Sequence, residues 1–504
     1  MFASNEVKGK LLSEQLIELA SFVKQAAVNG VAAHEVELTL FRGVLKIGRE
    51  LLSMFIELQG TGDIGAELTL PDGGRLERQP EIYERQYKTI FGEFTIERTA
   101  YSQGTNQKME MPLDARLQLP ESKFSHLLQS WDQMIATEQP YGQVSRVMET
   151  IFEVAQHIDS LERMSRGMSS DAESYCWTRP APPAAEEGEI LVESADGKGV
   201  PIRHSADTKP IEDHQPRRGP KPDRKRMATV GAVYSVDRFV RTPQQLLDAL
   251  FHEPNQVRPP DLPQRPRPQH KLTYARLDDE PGPEAVNGQA AVFGWLAENI
   301  RRRLKRRRKA IPVVALMDGQ ESLWNMLEIS QSAEGTIKIL DILHVTPRIW
   351  SAAKLFHQNV KDQTKFVYDQ TGRILNGEVK SVVHSLRSLA TRRELSAKKT
   401  AALEVICNYL TKNAERMRYH EYLAEGYPIA SGVIEGACRH VVKDRMERTG
   451  MSWTRSGAQA MLNLRAIWTS NRWDDFVKYR IEKENDRLYP HHDLLKAIDW
   501  PLAA

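Results

Sequence analysis

The sequence predicts an α/β catalytic core joined to a mainly α-helical N-terminal region. Three observations carry this. "ILVESADG" and "IPVVALMDG" are short apolar runs bounded by turn residues, the mark of central strands buried on both faces. Both runs end in Asp-Gly, and the C-terminal ends of such strands are where open α/β sheets present ligand-binding groups. Residues 1–60 and 348–424 keep helical periodicity instead.

The bulk numbers bound the rest. The chain has 504 residues, more than one core usually holds, so several domains are expected. Hydrophobic residues make up 40% and charged residues 27%, which suits a soluble folded protein. Formal net charge is only +2, but the positive residues are clumped, and a clump can bind a polyanion whatever the sum. Cys176, Cys407 and Cys438 form no Cys-x-x-Cys, so a reduced cytoplasmic protein without a cysteine zinc site is expected. The N-terminus lacks an apolar signal region, and no stretch reaches the roughly 18 apolar residues of a membrane helix.

In chain order, residues 1–60 read as two helices whose apolar stripes, such as Leu38, Phe41, Val44 and Leu45, suit a core or a helix–helix contact, dimerisation included. Residues 61–176 join a strand pair, Thr89 to Tyr101, to a helical region. There "QVSRVMETIFEVAQHIDSLERMSRGM" suits a helix-turn-helix or an ordinary helical hairpin, and DNA binding is the functional reading. Residues 177–189, rich in Pro, Ala and Glu, read as a linker. The first part of the core spans 190–347. It includes a basic, Pro-rich insertion, 203–284, with a strand pair turning at Ser235 to Asp237 and a loop from Glu253 to Glu284. A helical insertion, 348–424, precedes the last part of the core, 425–480, and a tail, 481–504.

Three acids share a local grammar. Asp196 and Asp318 end strand-like runs, and Glu435 opens a helix. Converging carboxylates repel unless a cation neutralises them, and hard oxygen donors select Mg²⁺ or Mn²⁺. Two such ions about 4 Å apart serve phosphodiester chemistry. Basic runs supply phosphate-positioning cations: Arg301, Arg302, Arg303 and Arg306 in one helix, and Arg217 to Arg226 upstream. Plainer readings stand beside these. Asp-Gly is a common turn, and Glu435 is spaced for surface ion pairs with Arg439 and Lys443.

"DGKGVP", "LMDGQESLW", "ILDILHVTPRIWSAAK" and "YPIASGVIEGACRHVVKDRMERTGMSW" together resemble the bacterial insertion-sequence transposases of the IS-Kra family, relatives of the Mutator-like DDE transposases. The resemblance runs from about Thr89 to Trp473 and is strongest from Ile311 onward. It implies an RNase H-like catalytic core with a helical insertion. It places Asp196, Asp318 and Glu435 as the catalytic, metal-holding triad, and Asp341 with His344 as an auxiliary Asp-x-x-His element. Asp341 also ends a strand-like run, which makes it the rival for second acid. Relatives carry a cysteine pair after the first strand pair; "TAYSQGTNQKMEMPLD" has none, so an N-terminal zinc module is in doubt.

The function implied is DNA transposition. Two Mg²⁺ or Mn²⁺ ions would serve hydrolysis at the element's end, and the freed 3′-hydroxyl would then attack target DNA. Asp196 would bridge both ions, with Asp318 and Glu435 completing one each. Arg439, Lys443, Arg445 and Arg455 join the helix arginines as candidate DNA contacts. The partners implied are double-stranded DNA, both terminal inverted repeats and target, and a second copy of the chain in a homodimer or larger homo-oligomer. Two alternatives remain: a catalytically silent DNA-binding descendant, and an RNase H-like nuclease without strand transfer.

Overall fold

The computed structural model describes residues 5–70, 73–104, 109–203, 225–251, 264–279, 282–283 and 285–491. The basic stretch 217–224 lies outside them. The chain divides into two compact units, residues 1–168 with 473–504, and residues 169–472.

In the first unit, α1 (Asn5–Asn29) and α2 (Ala33–Leu58) leave large apolar side chains in solvent, Leu16, Ile17, Val44 and Phe55 among them. A three-stranded antiparallel sheet follows: β1 (Glu67–Thr69), β2 (Arg75–Thr89) and β3 (Gly92–Ser102). The strand pair expected over Thr89 to Tyr101 is therefore only β3 and the end of a much longer β2. Charged residues fill β2, so apolar alternation could not reveal it. Asp114 in α3 (Pro112–Leu117) is clamped by Arg85 of β2 at 3.0 Å and Arg98 of β3 at 2.6 Å, all nearly buried. Then come α4 (His126–Glu138), α5 (Tyr141–Phe152) and α6 (Ile158–Thr178), whose residues from Ser169 on belong to the second unit. A left-handed Glu153 ends α5, so the pair α5–α6 is two helices joined across residues 153–157.

The second unit is built on a five-stranded mixed sheet in the order β6-β5-β4-β7-β8. Its strands are β4 (Ile190–Pro201), β5 (Lys225–Val236), β6 (Gln269–Leu277), β7 (Val313–Met317) and β8 (Ile337–Leu340). β4, β7 and β8 run parallel; β5 and β6 are antiparallel to their neighbours. This mixed α/β architecture is compatible with an RNase H-like core.

Two expectations need correction here. "MATVGAVYSVDRFV" is not a strand pair: β5 runs unbroken through Ser235 to Val236. The stretch taken as a loop, Glu253 to Glu284, contains the edge strand β6. An edge strand needs hydrogen bonds on one side only, so its sequence can stay polar and proline-flanked.

Helices cover both faces of this sheet. Following β5 is α7 (Pro243–Leu250), closed by a Thr242–Gln245 capping box. Tyr274 of β6 stacks on Trp295 of α8 (Gly288–Lys305) with ring centroids 5.4 Å apart. Its neighbour Thr273 instead bonds the Ala466 carbonyl of a C-terminal helix. Successive residues of a strand point to opposite faces, so the two helices lie on opposite sides of the sheet. Gly231, opposite Tyr274, lets α8 come close: a Cβ there would lie 2.6 Å from Val292.

Beyond β7 come α9 (Glu321–Ser330) and, after β8, α10 (Ile342–Phe356), α11 (Val360–Leu375), α12 (Val379–Arg392), α13 (Ala397–Lys412) and α14 (Tyr419–Ala424). Helices α10 to α14 share one core with Ile190, Val192, Val314 and Ile339 of the sheet. Next, α15 (Gly432–Ala437) runs through a π-helical turn, Cys438–Lys443, into α16 (Asp444–Met446), and α17 (Arg455–Thr469) lies against β6. The last helix, α18 (Trp473–Leu488), belongs to the first unit, where Arg480 bonds Gln129 and Tyr489 bonds the Leu119 carbonyl. The change of unit thus falls at residue 473, inside the span expected as core, and residues 481–488 are helix rather than tail.

Candidate active site

Strand register gathers the acids. Glu193 of β4 pairs with Ala315 of β7, so Asp196 and Asp318, each three residues on, fall level. Met317 of β7 pairs with Leu340 of β8, so Asp318 and Asp341, each one residue on, fall level too. Three aspartates therefore stand in a row at one end of three parallel strands. Asp196 does not end its strand, as the sequence suggested; β4 continues to Pro201. It sits opposite Val230, two residues from Ala232, which pairs with Thr273. Alternation then puts its side chain on the face that carries α15 and α17. There Cys438, just after α15, donates its thiol to Asp196 Oδ2 at 3.5 Å. Burial, then the Asp196 charge, holds the Cys438 thiol far above its ordinary pKa, so it stays a proton donor.

The acids differ in how far they are satisfied. Asp318 is half-buried and accepts one backbone hydrogen bond, from Gln320 N at 2.8 Å. Burial raises its pKa first, and the Asp196 charge raises it further, while Gln320 and His344 act the other way. Asp341 is fully buried. Its Oδ1 accepts from Leu343 N and Ser431 N, its Oδ2 from Ser431 Oγ and His344 Nδ1. Four donors occupy the four lone-pair sites of a carboxylate.

Asp341, His344 and Glu435 each offer a donor atom within 4.8 Å of the others, a tighter group than Asp196, Asp318 and Glu435 form among the described residues. Proximity alone would make the former set a metal site. Asp341, however, has no lone pair to spare, and its contacts are those of a brace. It caps α10, orients His344 and pins Ser431, the residue before α15. The hydrogen bond from His344 to Asp341 raises the imidazole's pKa, and Asp318 and Asp196 add to this. His344 thus holds its proton more tightly than a free imidazole does.

Glu435 is exposed, and the π-helical turn begins three residues after it. Such wide turns occur mostly at functional sites, and here one sets the direction in which Arg439, His440 and Lys443 leave the helix. Asp444 pairs with Arg439 at 3.3 Å and with His440 at 3.0 Å.

Sequence reasoning missed two neighbours of the acids. Tyr409, on α13, packs its ring on Gly319, where a Cβ would lie 2.3 Å from Tyr409 Cε2. Arg348 stacks on that ring at 4.6 Å, and Tyr409 senses the charges of Asp318 and Asp341. Lys198, two residues beyond Asp196 on the same strand face, acts electrostatically on Cys438. Its signal was in the quoted "DGKG"; Tyr409 had none, being 90 residues from Gly319.

The proposed DNA contacts divide. Arg439 and Lys443 are exposed, and Arg301 is exposed beside Glu298 at 3.2 Å. Arg303 is wholly buried against Glu187 at 3.1 Å, and Arg445 is buried under Trp453, so neither has a surface to offer a phosphate. Arg302 bonds the Trp177 carbonyl, Arg306 the Ala181 carbonyl and Arg455 the Asp278 carbonyl. The stretch read as linker is thus the partner of the arginines read as DNA contacts.

No family model matches the sequence, and no curated protein matches it. Among solved structures it aligns with the Drosophila P element transposase strand transfer complex at 12% identity and a TM-score of 0.23, covering 74% of this chain and 85% of that one. A TM-score of that size does not establish a shared fold. No helix among the described residues is long and apolar enough to cross a membrane.

Proposed function

We propose that the protein is a DNA transposase of the IS-Kra type, using Asp196, Asp318 and Glu435 on an RNase H-like core for metal-dependent DNA cleavage and strand transfer. The observation that carries this reading is the register that sets Asp196 level with Asp318 on adjacent parallel strands, beside the helix bearing Glu435. The strand order, with an antiparallel pair beside three parallel strands, suits the same core. Asp318 is preferred to Asp341 as second acid because it keeps free lone pairs, whereas Asp341 is saturated.

The donor set fits two hard divalent cations such as Mg²⁺ or Mn²⁺. It is made of carboxylates, among which the Asp196 charge raises the proton affinity of Asp318, with the His344 imidazole and Lys198 nearby. When bound, such ions supply neutralisation of the acids and Lewis acidity toward a phosphodiester. The chain's own groups would then divide the work. Asp196, Asp318 and Glu435 hold the ions. Asp341 keeps His344 and α15 in place. His344, held by Asp341, stands beside the acids, and Lys198, Arg439 and Lys443 meet DNA phosphates. The exposed apolar faces of α1 and α2 suit contact with a second copy, which the joining of two DNA ends requires.

A duplex carrying the inverted repeats expected at the ends of the coding element is the test substrate. The reading requires nicking at the repeat boundary with Mg²⁺ and none with EDTA, and joining of a pre-nicked end bearing a 3′-hydroxyl. Nicking without joining would reduce the protein to a nuclease; binding without nicking would make it a silent descendant.

A further inference from the structure

A groove follows one side of the Glu435 helix. Two cavities, of about 410 Å³ and 710 Å³, share Arg267, Pro268, Gly432 and Val433, and so form one continuous track. Helix residues Gly432, Val433, Gly436 and His440 line it, spaced to share one helical face, while Glu435 leaves from the adjoining face. The two glycines keep that wall low. A Cβ at Gly432 would meet nothing within 4 Å, and one at Gly436 only His440 Cδ2 at 4.0 Å.

The charge in this groove is one-sided. Arg241, Arg265 and Arg267 line the first cavity, and Arg267, Lys271 and Arg472 the second. Among the described residues Asp237 is the one carboxylate in either lining, and its Oδ2 accepts from the Gln269 amide at 3.0 Å. Arg241 is half-buried; it donates to the Phe239 and Tyr427 carbonyls at 3.3 and 3.4 Å and lies over the Phe239 ring at 5.0 Å. Burial and the Arg265 charge pull its pKa down to about 10, and burial lowers that of Lys271 as well. No ion pair is recorded for Arg241, Arg265, Arg267 or Lys271 among the described residues. Half-burying cations beside one another without a carboxylate costs stability, and an anionic ligand repays that cost.

The wall opposite the helix is also suited to a polyanion. Gln264-Arg265-Pro266-Arg267-Pro268 alternates arginine with proline just before β6. Proline fixes φ, so two guanidinium groups are presented with little backbone entropy left to lose on binding.

We propose that this groove is a track for the phosphodiester backbone of a nucleic-acid strand passing beside the Glu435 helix, with Arg241, Arg265, Arg267 and Lys271 as its phosphate contacts. The choice of nucleic acid among polyanions rests on the proposed function; the groove and its uncompensated charge do not.

The test is fluorescence anisotropy of a short fluorescein-labelled oligodeoxynucleotide with the full chain over a range of KCl, without divalent cations. Each lost phosphate contact lowers the slope of log K against log salt by about 0.7 for a single strand. The Arg265→Ala/Arg267→Ala double variant therefore loses about 1.4. Both side chains are exposed, and an unchanged Tm confirms the fold. Lys398→Ala, an exposed cation of the same unit that lines neither cavity, keeps the wild-type slope. A double-variant slope equal to wild type overturns the track, even where Mg²⁺-dependent nicking is intact. A reduced slope in a protein that never nicks DNA upholds the track and removes the proposed chemistry.

Discussion

The Arg-rich end of α8 and the acid-bearing ends of β4 and β7 are both dense in like charge, yet one is saturated and the other is left open. At α8, Arg302, Arg306 and Arg307 donate to the carbonyls of Trp177, Ala181 and Gly188, and Arg303 is buried on Glu187. These cations lash the segment before β4 onto the sheet's helical layer. At the other site, among the described residues, Asp196 and Asp318 accept only a neighbouring backbone N–H each and the Cys438 thiol, and the Asp196 charge raises the proton affinity of Asp318. Density of charge is thus no guide to function. The number of lone pairs or N–H groups left over is the better guide, and the saturated Asp341 beside the unsaturated Asp318 repeats the lesson within a few ångströms.

The largest expected effect breaks that comparison if it fails. Asp196→Asn, Asp318→Asn and Glu435→Gln should each abolish Mg²⁺-dependent nicking while leaving Tm close to wild type, because the amides keep an acceptor oxygen for the Gly197 and Gln320 N–H groups and the weak Cys438 thiol bond is the one at risk. Asp341→Asn should instead lower Tm, since an amide nitrogen cannot accept from Ser431 or His344, and should reduce nicking by about 10–100-fold, the usual cost of disturbing a supporting group. Normal nicking by Asp318→Asn together with none by Asp341→Asn would exchange the two roles.

Next in size is the saturated region itself. Arg303→Ala leaves the buried Glu187 carboxylate with Arg307 alone, at 3.4 Å, and should cost about 1–3 kcal/mol, read by denaturant unfolding. It should leave the salt slope of DNA binding where it was. A lower slope in a folded Arg303→Ala protein would return that arginine to the DNA surface.

These contrasts mark what the sequence could tell. Asp196 and Asp318 were visible because a buried strand followed by Asp-Gly is a local pattern. The fully buried "VVALM" of β7 is the clearest case. β6 was hidden because an edge strand between prolines carries no apolar alternation, and the groove it borders was hidden with it. The fate of the α8 arginines was illegible for another reason: their acceptors are mostly backbone carbonyls some 120 residues away, and a carbonyl has no sequence signature. The same holds for Tyr409 over Gly319, a contact between the helical insertion and the turn bearing Asp318.

That contact supports a smaller prediction. Gly319→Ala drives a Cβ into a rigid ring rather than a flexible side-chain end, so it should destabilise by about 1–3 kcal/mol and displace Asp318. Adding Tyr409→Ala should recover part of the lost stability, giving a double-variant cost below the sum of the singles. Strict additivity would mean that the insertion does not bear on the acid.

The smallest effect separates carboxylates that are open to solvent from one that is merely entombed. Glu193 lies three residues before Asp196 on β4, but Glu193 is paired with Val233 and points to the opposite face, fully buried. Its Oε1 accepts from Ser332, and its Oε2 has no partner. Burial raises its pKa to about 7. A carboxyl whose folded pKa lies above its unfolded value binds its proton more tightly in the native state. Its contribution is therefore complete below about pH 4.5 and is lost as pH rises through about 7. Asp132 in the first unit, also buried and raised to about 7, adds the same sign. Tm should accordingly fall between about pH 4.5 and pH 7 on account of both groups. Glu193→Gln, which keeps the acceptor for Ser332 and cannot ionise, should flatten that fall by a few degrees at most. The Asp132 share should remain. A Glu193→Gln protein with the wild-type slope would show that Glu193 is ionised in the folded state, and that its strand tolerates buried negative charge on both faces.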